Sequence, residues 1–280
     1  MAVKVSLINM KGGVGKSTLS VNLAWHFAAM SSSTKKVLVI DVDPQFNASQ
    51  YLLGVAEYQN IINNNIPTMW DVFEQYTQVP GVNKPPLTPA NVIHNVTTFV
   101  DESKIDLIPS RLELAFSLRN PGQKENLLAQ LIAGVDRDYD LIIIDCPPTE
   151  SLFTWAAYLT TDYILVPVKP EYLSSIGLPL LVNSLEEFHR RYQNHPITLA
   201  GVVFNATSSY SPEEIIAKTE VRRVATANGW YVFNNEVTYS RSYPKGAREG
   251  QPIFRTSYSH TNQCAKFRAF ADEFASRVGL

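Results

Sequence analysis

The sequence is poor in cysteine and in charge, and it has no long apolar run. Two cysteines, Cys146 and Cys264, occur in 280 residues; they are too few for a disulfide framework or a four-cysteine metal site, so we expect a reducing compartment. A charged fraction of 18% and a net charge of −2 exclude a protein coated throughout with positive charge. No run approaches the roughly 18 apolar residues of a transmembrane helix. A strand pattern from Val3 leaves no space for a signal peptide, so we expect a soluble, cytoplasmic protein.

The charge that is present is unevenly distributed. Residues 1–216 carry a balance of −7, whereas residues 217–280 carry a balance of +5. Such asymmetry indicates a polyanionic partner only weakly, because basic residues scattered over a solvated surface give the same balance. The hydrophobic fraction of 45% excludes a disordered or low-complexity chain.

Short apolar runs alternate with helical stretches along most of the chain. Because several of these runs are apolar without interruption, they suit parallel strands that helices cover on both faces. The pattern predicts an α/β fold with a doubly wound, mostly parallel sheet. The predicted strands are Val3–Asn9, Lys36–Asp41, Ile105–Ile108, Leu141–Asp145, Tyr163–Val168 and Leu199–Asn205, and the predicted helices cover residues 17–30, 124–133, 173–192, 212–228 and 261–277.

Residues 57–104 interrupt this alternation. The segment is rich in Asn and Pro, and only Met69–Tyr76 has a helical pattern. Loops of this length in compact domains are usually functional or flexible. Since strands resume on both sides, we interpret residues 1–280 as a single domain with a surface excursion at about residues 57–104.

A glycine-rich turn joins the first predicted strand to the first predicted helix. Residues 11–18 read Lys-Gly-Gly-Val-Gly-Lys-Ser-Thr, a variant of the phosphate-binding motif in the strand–loop–helix context that the motif requires. Glycines let successive backbone N–H groups surround phosphate oxygens, and the helix directs its positive end at them. We expect Lys16 to neutralise the β- and γ-phosphates and the Ser17 hydroxyl to bind Mg²⁺.

Carboxylates end two other apolar strands. Asp145 follows four apolar residues, and Asp41 and Asp43 follow another such run. Ligands of open α/β sheets collect at the carboxyl ends of the strands, and strand residues two apart share a face. We expect Asp145 to hold Mg²⁺, while one of Asp41 and Asp43 orders the metal shell and the other orients the attacking water.

Lys11 is a second lysine in a loop that ordinarily needs one. Together with Asp-Val-Asp-Pro-Gln-Phe-Asn-Ala-Ser at 41–49 and Ile-Asp-Cys-Pro-Pro at 144–148, this loop resembles the ParA/Soj/MinD group of deviant Walker-type ATPases, most closely its ParA/Soj branch. The resemblance extends from Asn9 to the last helix. It implies the P-loop NTPase fold, ATP and Mg²⁺ as cofactors, and an ATP-dependent sandwich homodimer. Met10 and Phe46 stand where this branch commonly has Gln and Gly.

The resemblance also implies roles for individual residues. Lys11 would reach the partner subunit's nucleotide, as an arginine finger does, Asp43 would position or activate the hydrolytic water, and Asn205 would hydrogen-bond adenine. The implied nucleotide-binding residues are Lys11, Gly12, Gly13, Val14, Gly15, Lys16, Ser17, Thr18 and Asn205; the catalytic residues are Lys11, Lys16 and Asp43; and the metal residues are Ser17, Asp41 and Asp145. The sequence has no Asn-Lys-x-Asp guanine motif, which favours ATP over GTP.

Members of this group bind a surface as ATP-dependent dimers and are released when a partner protein stimulates hydrolysis. The basic C-terminal portion favours nonspecific DNA as that surface. The resemblance implies a nucleoid-associated location, a ParB-like or other ATPase-stimulating partner, and a role in the partition of plasmid or chromosomal DNA or the positioning of a protein cargo. The alternative is a MinD-like membrane ATPase that regulates division-site placement. An iron–sulfur electron-transfer ATPase and a nucleotide-sensing binding module are further alternatives. The candidate DNA-binding residues are Arg222, Arg223, Lys245, Arg248, Arg255, Lys266 and Arg268.

Overall fold

Eight strands form one sheet in a computed structural model that describes residues 1–32, 35–76, 87–171, 174–208 and 211–280. The strand order is β3-β4-β2-β5-β1-β6-β7-β8, and every neighbouring pair is parallel except β3 and β4. The strands are β1 (Val3–Leu7), β2 (Lys36–Asp41), β3 (His94–Thr98), β4 (Lys104–Ile108), β5 (Leu141–Asp145), β6 (Tyr163–Val168), β7 (Thr198–Thr207) and β8 (Val237–Thr238). The predicted doubly wound, mostly parallel sheet is therefore confirmed.

Helices cover both faces of this sheet. They are α1 (Lys16–Met30), α2 (Asn47–Asn63), α3 (Met69–Glu74), α4 (Pro89–Val92), α5 (Leu127–Ala133), α6 (Leu152–Thr160), α7 (Ser174–Arg191), α8 (Pro212–Ala227), α9 (Ser242–Glu249) and α10 (Thr261–Val278), with a 3₁₀ helix at Leu112–Arg119. No helix within the described ranges is long and apolar enough to cross a membrane.

The uninterrupted apolar strands explain why both faces are covered. Along β2, Val37 and Val39 belong to one buried cluster, whereas Leu38 and Ile40 belong to the other. Side chains alternate between the two faces of a strand, so such a run buries apolar surface on both sides. The stripe on α10, predicted from its helical spacing, packs into the cluster that contains α1.

The segment 57–104 differs from its sequence-based interpretation. The described part contains the end of α2, the helices α3 and α4, and β3, whereas the sequence pattern predicted one short helix. Met69, Val72 and Phe73 are fully buried, and β3 extends the sheet antiparallel to β4. These residues therefore build core and sheet instead of running only over the surface. Residues 77–86 lie outside the described ranges.

Several elements were not predicted because their patterns are short or mixed. The edge strand β3 has only half-buried and exposed side chains, and β8 has two residues. Helix α2 is interrupted at Gly54, which has φ 72° and ψ 164°, so no helical period runs through it. The predicted helices correspond to α1, α5, α7, α8 and α10 with shifts of up to three residues in their ends.

Candidate functional site: a phosphate loop beside buried carboxylates

The glycine-rich turn lies between β1 and α1, with Gly15 as the residue that caps the helix. Gly13 and Gly15 have φ values of 73° and 89°, the left-handed region that glycine adopts without a steric penalty. A Cβ on Gly15 would lie 2.1 Å from Asn205 Nδ2, and this amide donates to the Val14 carbonyl at 2.7 Å. Asn205 at β7 therefore supports the loop directly. The N-terminus of α1 points into the space surrounded by the glycine-rich turn, and such a helix end is suited to bind an anion.

The two lysines of the loop lie in different environments. The Lys16 side chain is buried, and its Nζ donates to the carbonyls of Asn9 at 3.2 Å and Lys11 at 3.4 Å. Burial lowers the pKa of Lys16, although the nearby Asp145 opposes this effect. The Lys11 side chain is half-buried, with Nζ 3.1 Å from Glu171 Oε2. The Lys16 ammonium therefore lies inside the loop, whereas the Lys11 ammonium lies at its outer edge.

Asp41 and Asp145 are register partners on the adjacent strands β2 and β5. Asp41 accepts hydrogen bonds from the Asp43 backbone N–H at 3.1 Å and from the Ser49 N–H and hydroxyl at 2.9 and 2.7 Å. Burial and the neighbouring Asp145 raise the pKa of Asp41. Because its oxygens accept these bonds, Asp41 is placed to hold the loop that follows β2, and a metal role for it stays a prediction.

Asp145 fits a cation differently. Its Oδ1 accepts from the Ser20 hydroxyl at 3.0 Å, whereas its Oδ2 is buried without a hydrogen-bond partner among the described residues. Burial raises the pKa of Asp145 to about 6, against the lowering effects of Ser17 and Lys16. An orphaned carboxylate oxygen beside a serine hydroxyl suits Mg²⁺ or its bound water.

No group of three His, Cys, Asp or Glu side chains in the described ranges is arranged to hold a metal by itself. Mg²⁺ ordinarily keeps waters and takes one or two protein ligands together with substrate phosphates. Ser17 and Asp145 supply a donor set of this kind, so the residues present fit the expected ion.

Asp43 follows β2 at the mouth of the loop. It is 6% exposed, and its Oδ1 accepts the Gln45 N–H at 2.9 Å. Burial raises the pKa of Asp43, and the nearby Lys16 lowers it. The Asp43 side chain thus lies beside the phosphate loop, in a turn that the Gln45 N–H helps to hold.

A cavity of about 540 Å³ lies in front of these groups. It is lined by residues 12–18 of the loop and by Asp43. A cavity of this volume is large enough for a nucleotide's phosphates. The sequence did not single out the other lining residues, although two of them lie in the motif at 41–49. They are Gln45, Asn47, Gln50, Tyr51, Pro148 and Ala247.

The structure does not bring the seven candidate DNA-binding residues together. Arg222 on α8 lies 3.8 Å from Glu236, and Lys266 on α10 lines a cavity together with Glu236. Arg255 lies over the Trp25 ring of α1. The remaining candidates divide between α8 (Arg223), α9 (Lys245, Arg248) and the α1-facing side of α10 (Arg268).

Acidic neighbours already neutralise part of this set. Arg223 donates to both carboxylate oxygens of Glu220 at 3.0 and 2.7 Å. Lys245 lies 3.2 Å from Glu249, and Arg222 lies 3.8 Å from Glu236. Within the described ranges, no ion pair involves the other four candidates, which are Arg248, Arg255, Lys266 and Arg268.

The fold does not favour two of the alternative functions, the iron–sulfur electron-transfer ATPase and the membrane ATPase. Cys146 and Cys264 are both buried and belong to clusters on opposite faces of the sheet, so this chain does not present a cysteine pair for a cluster. The aromatic stripe of α10 is buried in the core, so that apolar face is not available to a lipid surface.

The fold and the site define a P-loop nucleotide-binding protein of the α/β class. Residues 2–199 match the model of the AAA_31 family, described as "AAA domain". An uncharacterized protein, MJECL24, from Methanocaldococcus jannaschii is 30% identical over 256 residues, which cover 90% of this chain and 91% of the relative. The chromosome-partitioning ATPase Soj from Treponema pallidum is 29% identical over 282 residues, covering 100% and 99%.

A solved structure of a McdA variant from Cyanothece in complex with ATP has a TM-score of 0.77 at 19% identity, and covers 100% of this chain and 97% of that chain. This likeness agrees with the fold described above. The chain belongs to the AAA_31 family and is a ParA/Soj-type ATPase of the deviant Walker group.

Proposed function

We propose that this chain binds ATP with Mg²⁺, forms a homodimer around the nucleotides, and hydrolyses ATP to ADP and phosphate. In the ATP state the dimer binds nonspecific DNA, and a ParB-like or other ATPase-stimulating protein triggers hydrolysis and release. The cycle partitions plasmid or chromosomal DNA or positions a protein cargo. A cytoplasmic, nucleoid-associated location follows from this role.

The separation of the two loop lysines carries this proposal. Lys16 is buried against the loop carbonyls, where it would neutralise the phosphates of a nucleotide bound by its own chain. Lys11 lies at the outer edge, with 22% of its side chain exposed, where a second subunit could contact it. A cation that arrives only on dimerisation stabilises charge that develops during phosphoryl transfer, so hydrolysis depends on assembly.

The remaining site residues divide the chemistry. Ser17 and Asp145 would hold Mg²⁺, which neutralises phosphate charge when bound. Asp43 would orient the water whose oxygen bonds to the γ-phosphorus as the bond to the β-phosphate oxygen breaks. Asn205, which holds the Val14 carbonyl, would contact adenine next to the loop. The ATP complex of the McdA variant supports ATP as the nucleotide, and the name of the Soj relative supports a role in partition.

DNA is favoured over a membrane as the surface. The four basic candidates without ion pairs in the described ranges are exposed, and phosphate contacts by such residues need no base readout. The membrane alternative needs an apolar helix face, and the last described helix uses its own aromatic residues in the core.

The direct test measures DNA retardation and dimer mass with ATP, ADP and no nucleotide. We expect dimers and DNA binding with ATP alone, and equal binding in all three states would contradict the cycle. Lys11→Ala should abolish ATP-driven dimerisation and hydrolysis while nucleotide binding persists. Lys35→Ala is the matched control, because it also removes a surface lysine that pairs with an acid. A Lys11→Ala monomer that still turns over ATP would refute the role of Lys11.

A further inference from the structure

Phe46 adopts a backbone conformation that is unusual for a bulky residue. Its φ and ψ are 46° and 30°, the left-handed region, and it caps the N-terminus of α2. The Phe46 N–H donates to the Asp43 carbonyl at 2.8 Å, which closes the turn that carries the Asp43 carboxylate. Glycine adopts this conformation without strain, whereas a residue with a Cβ pays for it. A favourable contact of the Phe46 side chain would offset this cost.

The Phe46 ring provides that interaction by stacking on Tyr58. The ring centroids are 5.1 Å apart and the planes differ by 11°. Twelve residues of continuous helix would separate these positions by about 18 Å. The non-helical conformation of Gly54, with φ 72° and ψ 164°, redirects the chain between them. The break in α2 thus permits a contact that an uninterrupted helix would prevent.

Tyr58 is itself fixed to the strand edge that carries the carboxylates. Its hydroxyl donates to the Ser110 carbonyl at 3.2 Å, and the Ser110 N–H donates to the Ser49 hydroxyl oxygen at 2.9 Å. The Ser49 hydroxyl in turn donates to Asp41 Oδ2 at 2.7 Å. Since the Asp43 N–H donates to Asp41 Oδ1, these contacts form a closed path around the turn.

We propose that the Phe46–Tyr58 stack is a positioning device for ATP hydrolysis, which holds the Asp43 turn so that its carboxylate faces the phosphate cavity. This inference rests on the proposed function, in which Asp43 orients the water. Phe46 acts through Asp43 and is a positioning residue. Rates of group transfer are sensitive to displacements of about 1 Å in such groups. The turn contributes Gln45 to the cavity, whereas the glycine-rich loop, which would make most of the phosphate contacts, lies outside it.

Two substitutions separate positioning from stability. Phe46→Leu keeps an apolar side chain but removes the ring. Phe46→Gly removes the ring and also relieves the strain of the left-handed backbone conformation. The lost stack lowers stability and the relieved strain raises it, so the two effects oppose one another. We expect both variants to lower kcat for MgATP about tenfold or more, with the Kd for ATP within about twofold of wild type. The Tm of the Phe46→Gly variant should change little.

Tyr192→Leu is the matched control. Tyr192 is half-buried and stacks on Phe188 at the same centroid distance of 5.1 Å, on a helix end that does not line the phosphate cavity. This variant should lower the Tm without changing kcat. Phe46→Tyr, which retains the ring, should restore kcat.

Hydrogen exchange of the Phe46 and Gln45 amides reports on the turn without turnover. Both amides donate to Asp43, and they should exchange faster in Phe46→Leu than in wild type. Unchanged exchange, or a kcat no lower than that of Tyr192→Leu, would overturn the positioning role while the proposed function stands. Faster exchange with an unaltered kcat would overturn it as well. Wild-type protein without any ATP turnover would instead overturn the proposed function, and the positioning role with it.

Discussion

The phosphate edge of the sheet and the basic C-terminal surface hold their charges in opposite ways. At the phosphate edge, Lys16, Asp41 and Asp145 are buried, and strands, a helix N-terminus and backbone bonds fix their positions. On the basic surface, Arg223 and Lys245 are exposed or half-buried and pair with acids on their own helices. In the first region, hydrogen bonds and buried backbone elements hold the charges in place, whereas in the second the charges lie on side chains at the surface.

This difference explains what each region can recognise. Buried charges in fixed geometry discriminate among ligands, because desolvation makes an imperfect fit costly. Solvated cations on separate helices supply attraction to any polyanion, at a strength that salt controls. A nucleotide switch that acts on nonspecific DNA needs both kinds of site, with selectivity at one and tolerance at the other.

The largest effect should come from Lys16→Ala, which removes the buried ammonium group of the phosphate edge. We expect ATP affinity to fall at least about 30-fold, because truncation of one member of a buried charged contact costs about 2–5 kcal/mol. Isothermal titration calorimetry with MgATP measures this loss. Lys35→Ala, whose ammonium pairs with Asp101 on the surface, should bind as wild type does. A similar loss of ATP affinity in Lys16→Ala and Lys35→Ala would contradict the difference between buried and surface charges.

The second effect tests the orphaned oxygen of Asp145. In the nucleotide-free protein, Asp145→Asn should raise the free energy of unfolding at pH 7 by on the order of 1–3 kcal/mol, because it removes a buried charge without a full set of partners. The same variant should lose the further stabilisation that Mg²⁺ adds in the presence of ATP. Thermal melts with ATP, with and without Mg²⁺, measure both changes.

The pH dependence of this effect has a definite sign. The pKa of Asp145 is raised to about 6 in the folded chain from 3.8, so the folded state binds the proton more tightly than the unfolded state. The contribution of Asp145 to stability therefore increases as the pH falls from about 6 towards 4. Asp145→Asn should lack this increase. Asp101→Asn at the surface is the control, and it should leave the Mg²⁺ effect unchanged.

The positions of the groups at the phosphate edge could be predicted from the sequence because they depend on short-range patterns. Lys16 and Ser17 belong to one loop, and Asp41 and Asp145 each end an apolar strand, so strand polarity alone brings them to one edge. The structure agrees with that placement. The stack of Tyr58 on Phe46, beside the Asp43 turn, was not predicted. The two rings meet because the non-helical Gly54 redirects the chain between them.

The basic surface could not be predicted in the same way. A charge balance over residues 217–280 does not specify which face of a helix each side chain occupies. Lys266 and Arg268 are two residues apart on α10, so they lie on different sides of it: Lys266 borders a cavity with Glu236, and Arg268 faces His26. Such placements depend on how distant elements pack. The grouping of the seven residues into one DNA surface therefore stays a prediction.

A smaller effect should distinguish paired from unpaired cations on that surface. We expect Arg248→Ala to weaken DNA binding in the ATP state a few-fold and to lower the slope of log affinity against log salt by about 1. Arg223→Ala should have a smaller effect, because Glu220 already binds that guanidinium through two hydrogen bonds. Salt titrations of fluorescently labelled duplex DNA measure both slopes, and equal slopes for the two variants would contradict the assignment.

The smallest effect lies where the basic surface meets the core, at His26 of α1. Burial lowers the pKa of His26 below 6.5, and Arg268 adds to this while Asp272, 3.6 Å away, opposes it. The unfolded chain therefore takes up the proton first as the pH falls, so His26 reduces stability progressively below about pH 6.5. His26→Gln should flatten this part of the curve of unfolding free energy against pH. Groups common to both proteins cancel in the difference between the two curves. Parallel curves for wild type and His26→Gln would contradict this expectation. They would mean that the His26 imidazole binds protons equally well in the folded and unfolded chains, so that it is as solvated as the basic surface.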